Sequence, residues 1–378
     1  MEKIKTLIHV VSFALVLIFL YLILGIWNSL YSLNEEEKEQ KKVQQKKGRV
    51  VFLPVVFFSP ETSFAAGAAG MYTFYTSKGQ AKSRPSNVHA LLYYTLNKQY
   101  WFEVAPDVYL KNDEYHVFGT ANYTKYLDKF WGVGNATQAD DEEKYVSLIS
   151  RLKVTVLKRV VSQLSAGLSF EYEHNKITEV EEGGLLETGN IIGSKQGTSS
   201  GIGTLFQWDS RDNIFSSSTG YYCQFSAKFF MPAWGSSYKF NMYNLDFRKY
   251  VPLFSSHVFA FQGYINIITG SPPFQMLSRL GGQDLMRGFY RGRYRDKNMV
   301  VVQMEYRLPV WWRFGLVGFV GVGDVTDNMG YFSVDALKTC AGLGIRFRIS
   351  PEEKMNVRLD IGFSKEYTGV YFSLNEAF

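Results

Sequence analysis

The stretch MNVRLDIGFS, residues 355–364, alternates apolar and polar residues with a period of two. In an extended strand its side chains divide between two faces: Met355, Val357, Leu359, Ile361 and Phe363 on one, and Asn356, Arg358, Asp360, Gly362 and Ser364 on the other. A soluble sandwich also alternates, so alternation alone does not decide the fold. Here the polar face carries charges as well as small polar residues. This pattern is typical of a membrane strand, which is apolar toward lipid and polar toward an interior.

The same alternation recurs along the chain, for example in AGLGIRFRIS (341–350) and YYCQFSAKF (221–229). A transmembrane strand needs about 9–11 residues. We predict sixteen strands: 50–58, 64–77, 87–97, 99–110, 113–123, 144–158, 163–177, 198–209, 219–231, 237–250, 256–269, 297–308, 314–326, 337–349, 354–364 and 368–378. Because lipid cannot satisfy backbone polar groups, such a sheet must close. The predicted fold class is all-β, a transmembrane antiparallel β-barrel of 16 strands, with both chain ends on the periplasmic side.

The N-terminus has the order of an export signal, with Lys3 and Lys5 before an apolar run from Leu7 to Trp27. We expect residues 1–32 to be a signal peptide of uncertain cleavage site; a retained anchor is the alternative, because the run is long enough to span a bilayer. Residues 33–49 are expected to form a charged periplasmic segment, and residues 50–378 the barrel. Residues 28–49 are too few for a domain with its own core.

Composition supports the β-fold and excludes some functions. Aromatic residues make up 16% of the chain and glycines number 33, as expected for strands joined by tight turns. The net charge of +6 is spread along the chain, so we predict no nucleic-acid binding.

Motifs for catalysis or metal binding are lacking. The five histidines, His9, His89, His116, His174 and His257, have no metal-ligand spacing, and there is no Gly-x-Ser-x-Gly elbow. His257 beside Ser255 and Ser256 is the one adjacent Ser–His case, and it falls at a predicted periplasmic turn. We predict no enzyme, no cofactor and no metal. Cys223 and Cys340 fall on opposite faces, so no disulfide is expected.

The longest external connection contains GGQDLMRGFY, residues 281–290. Together with VVVQMEYRLPVWW (300–312) and GLVGFVGVGDV (315–325), this loop resembles the barrel domain of the BamA/TamA superfamily of outer-membrane assembly proteins and translocases. WDSRDNIFSSSTGYY (208–222) and VVFFSPETSFAAGAAG (55–70) are similar to a turn and the first hairpin of that family. The chain looks like a stand-alone form without the N-terminal periplasmic domains of full-length relatives.

The resemblance implies that the loop between the eleventh and twelfth strands folds into the barrel lumen, where its arginine meets a carboxylate. The lumen lock is then Arg287, Gly288 and Phe289 at the tip, with Glu305 as the partner. Alternation places Glu305 on the inner face, and the glycines permit sharp turns. The alternative is an exposed basic loop, with Arg291, Arg293 and Arg295 facing solvent or lipopolysaccharide phosphates.

The predicted loop-packing strand contributes Phe319, Gly321 and Gly323. The family often has an aspartate where this chain has Gly321, so Glu305 is the one inner-strand acceptor that we expect. Gly321 and Gly323 would then give the tip room at the wall, and Phe289 would pack against Phe319.

Two further residues belong to the strands at the barrel's closing junction. Pro54 has no N–H to donate and is typical of a sheet edge, so it indicates a weak seam that opens for client strands or lipid, or stays shut. Phe378, an aromatic C-terminus on an alternating strand, resembles the insertion signal of outer-membrane barrels.

The expected localisation is the bacterial outer membrane, and the expected role is insertion or translocation of protein or lipid there. The expected partners are outer-membrane lipids, lipopolysaccharide and unfolded outer-membrane protein clients. The alternatives are a passive small-solute pore and a structural, homo-oligomeric barrel.

Overall fold

The computed structural model describes residues 49–59, 63–76, 86–254, 256–350 and 354–378. The predicted signal peptide, residues 1–32, lies outside the described residues. The charged segment 33–49 also lies outside them, apart from Arg49.

Sixteen long strands are neighbours in chain order in one sheet, and two short strands, β12 and β13, form a separate hairpin. The strand pairs are antiparallel, as short connections between sequential strands require. The strands are β1 Arg49–Ser59, β2 Ser63–Phe74, β3 Ser86–Thr95, β4 Tyr100–Leu110, β5 Tyr115–Phe130, β6 Glu143–Arg159, β7 Leu164–Val180, β8 Gln196–Asp209, β9 Gly220–Phe230, β10 Phe240–Pro252, β11 Val258–Gly270, β12 Ser278–Leu280, β13 Tyr294–Asp296, β14 Asn298–Trp311, β15 Phe314–Thr326, β16 Lys338–Ser350, β17 Met355–Phe363 and β18 Thr368–Leu374.

Each of the sixteen predicted strands corresponds to one long strand of the structure. The largest differences are at the C-terminal end of β5, which continues to Phe130, and in the last strand, which ends at Leu374. Short 3-10 helices occupy Ala139–Asp141, Pro232–Trp234, Phe274–Met276, Met329–Tyr331 and Val334–Ala336. Within the described ranges, no helix has the length and apolar character needed to cross a membrane.

The chain divides into two compact units, one up to Leu127 and one from Asp128 onward. The first contains β1 to β4 and most of β5. Pro54 lies there, exposed, in the middle of β1 and opposite Ala68 of β2. Its role in a seam remains a prediction. The second unit contains β6 to β18 and all of the candidate site described below.

In the second unit the strands have two different faces, which we call the charged face and the apolar face. On the charged face, Glu305 of β14 and Asp360 of β17 are completely buried. On the apolar face, Val320 of β15 is 53% exposed and Leu343 of β16 is 70% exposed. A soluble protein would bury the second set and expose the first; the reverse arrangement suits a sheet whose apolar face meets lipid.

Candidate functional site: a loop tip on the charged face

The loop between β11 and β14 folds back over the charged face. β12 and β13 pair as a short hairpin, and the segment between them forms the tip, residues 281–293. The backbone turns at Gly281, Gly282 and Gly288, with φ of 104°, 114° and 117°. These left-handed values are costly for residues with a Cβ. The tip is closed by the Gly282 amide, which donates to the Phe289 carbonyl at 3.1 Å.

The wall beneath the tip is a row of residues that the strand registers place side by side. Glu305 of β14 lies opposite Phe319 of β15, Phe319 opposite Gly342 of β16, and Gly342 opposite Gly362 of β17. The two glycines leave a shallow groove. A Cβ at Gly342 would collide with the Phe319 ring, and one at Gly362 would lie 2.6 Å from the Arg287 carbonyl carbon. The Phe319 ring and the tip backbone fill this groove.

Arg287 lies above that row and joins two carboxylates on different strands. Its Nη2 forms an ion pair with Glu305 Oε1, and its Nη1 donates to Asp360 Oδ2 at 2.5 Å. The guanidinium also lies over the Phe319 ring, 3.7 Å from the centroid, where a cation is attracted by the ring's quadrupole. All three charged side chains are at most 1% exposed. Because removing one partner strands a buried charge, this arrangement holds the tip firmly.

Further arginines of the strands neutralise the same two carboxylates. Arg307 Nη2 lies 2.8 Å from Glu305 Oε2, and Arg346 Nη1 donates to Asp360 Oδ1 at 2.5 Å. Arg358 reaches from β17 to Asp284 of the loop, with 2.6 Å between Nη2 and Oδ1. Charge-assisted bonds of this kind are shorter and stronger than neutral ones. The tip and three strands therefore share one ionic network.

Met286 and Gly321 explain how the tip fits against β15 and β16. Met286 has a left-handed φ of 51° and is completely buried, with its sulfur 4.0 Å from Cys340 Sγ. A Cβ at Gly321 would lie 3.0 Å from both of these sulfurs. Gly321 thus leaves the space that Met286 occupies. Gly323 lies further along β15, where a Cβ would press on β14 at the Val300 carbonyl.

The structure corrects two expectations about this loop. Glu305 is not the only inner-strand acceptor, because Asp360 is a second one. Phe289 belongs to a separate buried cluster, where its ring meets Tyr294 at 6.0 Å between centroids. The group that lies over the Phe319 ring is the Arg287 guanidinium. The carbonyl of Phe289 accepts from the Tyr371 hydroxyl at 3.3 Å, and the Gly288 amide donates to that hydroxyl at 2.9 Å. That this arrangement acts as a lock remains a prediction.

The alternative of a solvent-exposed basic loop is wrong for two of its three arginines. Arg293 and Arg295 are 5% and 0% exposed, whereas Arg291 is exposed. Arg293 pairs with Glu366 at 2.9 Å. Arg295 donates to the Lys129 carbonyl at 2.9 Å.

The C-terminal tail differs from the prediction of a strand through residue 378. β18 ends at Leu374, and Asn375, with φ of 63°, turns the chain toward the charged face. Phe378 is 4% exposed and packs with Tyr250 and Val258. Arg307 Nη2 donates to the Phe378 carbonyl at 2.7 Å. Phe378 is therefore not an exposed aromatic residue on the apolar face, and its role as an insertion signal remains a prediction.

Glu376 joins the tail to the same ionic network. Its carboxylate accepts from Arg346 Nε at 2.7 Å and from Asn356 Nδ2 at 2.6 Å. Its amide donates to the Phe215 carbonyl of the turn between β8 and β9. The Glu376 side chain is 4% exposed and lies on the charged face, where Arg346 and Arg307 are its cationic partners.

Asp212 stabilises the turn of residues 210–219, the turn that contacts the C-terminal tail at Phe215. Burial alone would raise the pKa of Asp212, but hydrogen bonds from Ser218, Lys354 and the amide of Thr219 lower it. Lys354 Nζ lies 2.9 Å from Asp212 Oδ2. This side chain therefore acts in the turn structure, as a turn-capping charge does.

Among the described residues, three of the histidines contact aromatic, hydroxyl and carboxylate groups of neighbouring strands. His257 Nδ1 contacts the Tyr306 hydroxyl at 2.6 Å. In the part of the chain that the structure describes, no three or more His, Cys, Asp or Glu residues are grouped to hold a metal ion. Cys223 and Cys340 are free thiols.

The fold and its charged face define a class, the all-β transmembrane barrels. A family model, the Omp85 superfamily domain, matches residues 88–378, and the chain belongs to the Omp85 superfamily. Among curated proteins none matches.

Solved structures with the same fold include three barrels. BamA from Haemophilus ducreyi lacking POTRA domains 1-3 matches with a TM-score of 0.59 and 15% identity, over 88% of this chain and 70% of that one. CdiB from Acinetobacter baumannii matches with 0.54 and 10%, over 88% and 60%. CdiB from Escherichia coli matches with 0.53 and 12%, over 86% and 62%. At these identities the likeness shows the fold alone, and the predicted fold class is confirmed.

Sequence reasoning missed several site residues, and the reason is strand register. Asp360 and Arg358 were assigned to the polar face of β17 by alternation. Nothing in the sequence says which residue of β14 lies level with Asp360. The groove glycines Gly342 and Gly362 are also invisible without the register, because their effect depends on what crosses above them.

Proposed function

We propose that this Omp85 barrel resides in the bacterial outer membrane and acts there, without enzymatic chemistry, in inserting or translocating protein or lipid. Its partners on this proposal are outer-membrane lipids, lipopolysaccharide and unfolded outer-membrane protein clients. Residues 1–32 would serve as the export signal. Membership in the superfamily and likeness to BamA and CdiB support this role.

The single observation that carries the proposal is the buried tip. Arg287, Glu305 and Asp360 form a desolvated ionic cluster. A loop fixed so firmly on the charged face supports a barrel that stays sealed until it engages a client over a pore that is always open. The exposed apolar face with Trp311 and Trp312, each 71% exposed and next to the β14–β15 turn, suits the aromatic girdle of a membrane barrel.

Conductance in planar bilayers separates this role from a passive pore. We expect low, rare conductance for the native protein and a large, steady increase for Arg287→Ala, because the freed tip no longer obstructs the interior. Arg313→Ala, which removes an arginine beside Trp312 at a turn, is the control and should conduct like the native protein. Steady native conductance that Arg287→Ala leaves unchanged would support the pore.

Genetic depletion followed by outer-membrane proteomics tests the assembly role itself. We expect loss of a subset of barrel proteins, or of surface lipid asymmetry, before any change in cytoplasmic proteins. If the membrane's protein and lipid composition stays unchanged on full depletion, the assembly role is wrong. Native crosslinking to a second copy of the chain would then favour the structural, homo-oligomeric alternative.

A further inference from the structure

A second group of arginines lies in the same loop, away from Arg287, and lacks sufficient negative charge. Arg279 of β12 and Arg295 of β13 are directly opposite each other in the hairpin register. Like charges at directly opposed positions destabilise a strand pair. Their side chains converge as well: a Cβ at Gly292 would lie 2.9 Å from Arg295 Nη2 and 3.3 Å from Arg279 Cδ.

Arg291 adds a third charge to this pair. Arg291 directly precedes Gly292, the residue that packs against the Arg279 and Arg295 side chains. The charge of Arg291, followed by burial, lowers the pKa of Arg279 to about 10, and Arg295 acts in the same direction. Arg291 is itself exposed, and the Arg279 side chain is 24% exposed. The group is therefore accessible on the side of Arg291 and closed on the side of Arg295.

The carboxylate available to this group is Asp128, and it is already engaged. Its nearest approach to Arg279 is 3.9 Å. Its oxygens accept from the Tyr145 hydroxyl at 3.1 Å, the Tyr290 hydroxyl at 3.0 Å and the Lys129 amide at 2.8 Å. Among the described residues, no carboxylate forms an ion pair with Arg291 or Arg295.

Arg295 also has an unused donor. Its side chain is completely buried, and its Nε and Nη2 donate to the carbonyls of Gly292 and Lys129. Its Nη1 has no acceptor within the described residues. A buried donor without an acceptor is destabilising, so a site of this composition gains from an anion with several oxygens.

We propose that Arg279, Arg291 and Arg295 form a binding site for a phosphate-type oxyanion. The negative charge of a phosphate group would offset the repulsion among the three guanidinium groups. Its oxygens could accept hydrogen bonds from them in pairs. The anion is either free phosphate or the phosphate of a lipid headgroup; the chemistry at the three arginines is the same. The site does not depend on the proposed insertion or translocation role, and only its lipid arm concerns lipopolysaccharide, one of the partners proposed above.

The test is binding of inorganic phosphate and of a bisphosphorylated lipid A to the folded full-length protein in detergent. We expect phosphate to raise the thermal unfolding midpoint at constant ionic strength where chloride does not, because a ligand of the native state stabilises it. Arg291→Ala should weaken this binding at least tenfold. Arg291 is exposed, so the variant should fold; Arg313→Ala is the matched control and should bind as the native protein does.

The two arms distinguish the sources of the anion. If phosphate and lipid A compete for binding, the site is open to both. If the protein responds to phosphorylated lipid A, but neither to dephosphorylated lipid A nor to free phosphate, the site binds a lipid headgroup. No response to either, or an equal response in Arg291→Ala and native protein, overturns the proposal. Arg279→Gln is a second test of the site. It should also weaken phosphate binding, and it leaves the exposed Arg291 in place.

Discussion

At the scale of single residues, the positions of Glu305 and Asp360 determine how the tip is held. Each carboxylate forms an ion pair with Arg287 and another with a strand arginine. That arginine is Arg307 for Glu305 and Arg346 for Asp360. Desolvating charges is costly, and it is tolerated here because each carboxylate also has a third arginine nearby, Arg346 at 4.0 Å from Glu305 and Arg358 at 3.8 Å from Asp360. The tip is therefore bound to the wall through charges that belong to β14 and β17, not to a single strand.

Glu305→Gln should lower the free energy of unfolding by about 3–5 kcal/mol, because it leaves the positive charges of Arg287 and Arg307 buried without their shared carboxylate. Urea unfolding in detergent, followed by gel mobility of unheated samples, measures this. Glu366→Gln is the control: this acid also pairs with a loop arginine, Arg293, but is 32% exposed, so the change should be under about 1 kcal/mol. Equal effects of the two substitutions would contradict the buried network.

What could be predicted at this scale follows from alternation. The inward direction of Glu305 follows from the period of β14, and the glycines of the tip from the need for sharp turns. The pairing of Arg287 with Asp360 could not be predicted, because Asp360 is 73 residues away and only the register of four strands makes them neighbours. The buried position of the Met286 side chain could not be predicted either, because it depends on the space that Gly321 leaves on the neighbouring strand.

At the scale of elements, the C-terminal tail is the clearest departure from sequence expectation. Alternation continues through Leu374 and then to Glu376 and Phe378, so a strand to the end was the natural prediction. The left-handed turn at Asn375 reverses the assignment of faces, as a single irregular residue does in any strand. Arg307 and Arg346 then offer Glu376 a paired site that the apolar face cannot.

Carboxypeptidase A, which removes C-terminal aromatic residues, should leave Phe378 in place in the folded native protein because Phe378 is buried. Tyr250→Ala should release Phe378 at least tenfold faster, since it opens the packing around the ring without altering the C-terminal sequence. Mass spectrometry of the trimmed chain gives the rate.

Phe254→Ala serves as the control for that experiment. Phe254 lies in the turn after β10, four residues beyond Tyr250 of that strand, and is 80% exposed. It should leave the trimming rate unchanged. Rapid trimming of the native, folded chain would show that the tail does not occupy this site in solution.

At the scale of the whole molecule, the account depends on which surface meets lipid. The fold class and sixteen strands could be predicted because alternation fixes both faces of every strand locally. The two units and the loop's contacts could not, since they depend on pairings between distant parts of the chain.

Val320→Arg should reduce folding into phospholipid vesicles, with a loss of about 2–4 kcal/mol if the site is near the bilayer midplane. Val320 lies at the middle of β15 on the apolar face and is 53% exposed. Val334→Arg is the matched control: it is the same change at a loop residue that is 82% exposed, and it should have almost no effect. Unfolding titrations from vesicles compare the two, and an equal cost at both sites would be inconsistent with a lipid-facing β15.

The central claim is that the loop tip lies against β16 on the charged face, and Met286 allows the most direct measurement. In a Cys223→Ser background, Met286→Cys places a thiol at the γ position of the side chain, one bond nearer the backbone than the Met286 sulfur, which lies 4.0 Å from Cys340 Sγ. The account predicts that a short bifunctional methanethiosulfonate reagent, applied to intact cells, joins residue 286 to Cys340 in most of the protein, as seen by gel mobility with and without reductant. Gln283→Cys, on the exposed part of the same tip, should join poorly. Failure of residue 286 to crosslink, or equal crosslinking from residue 283, would contradict the claim.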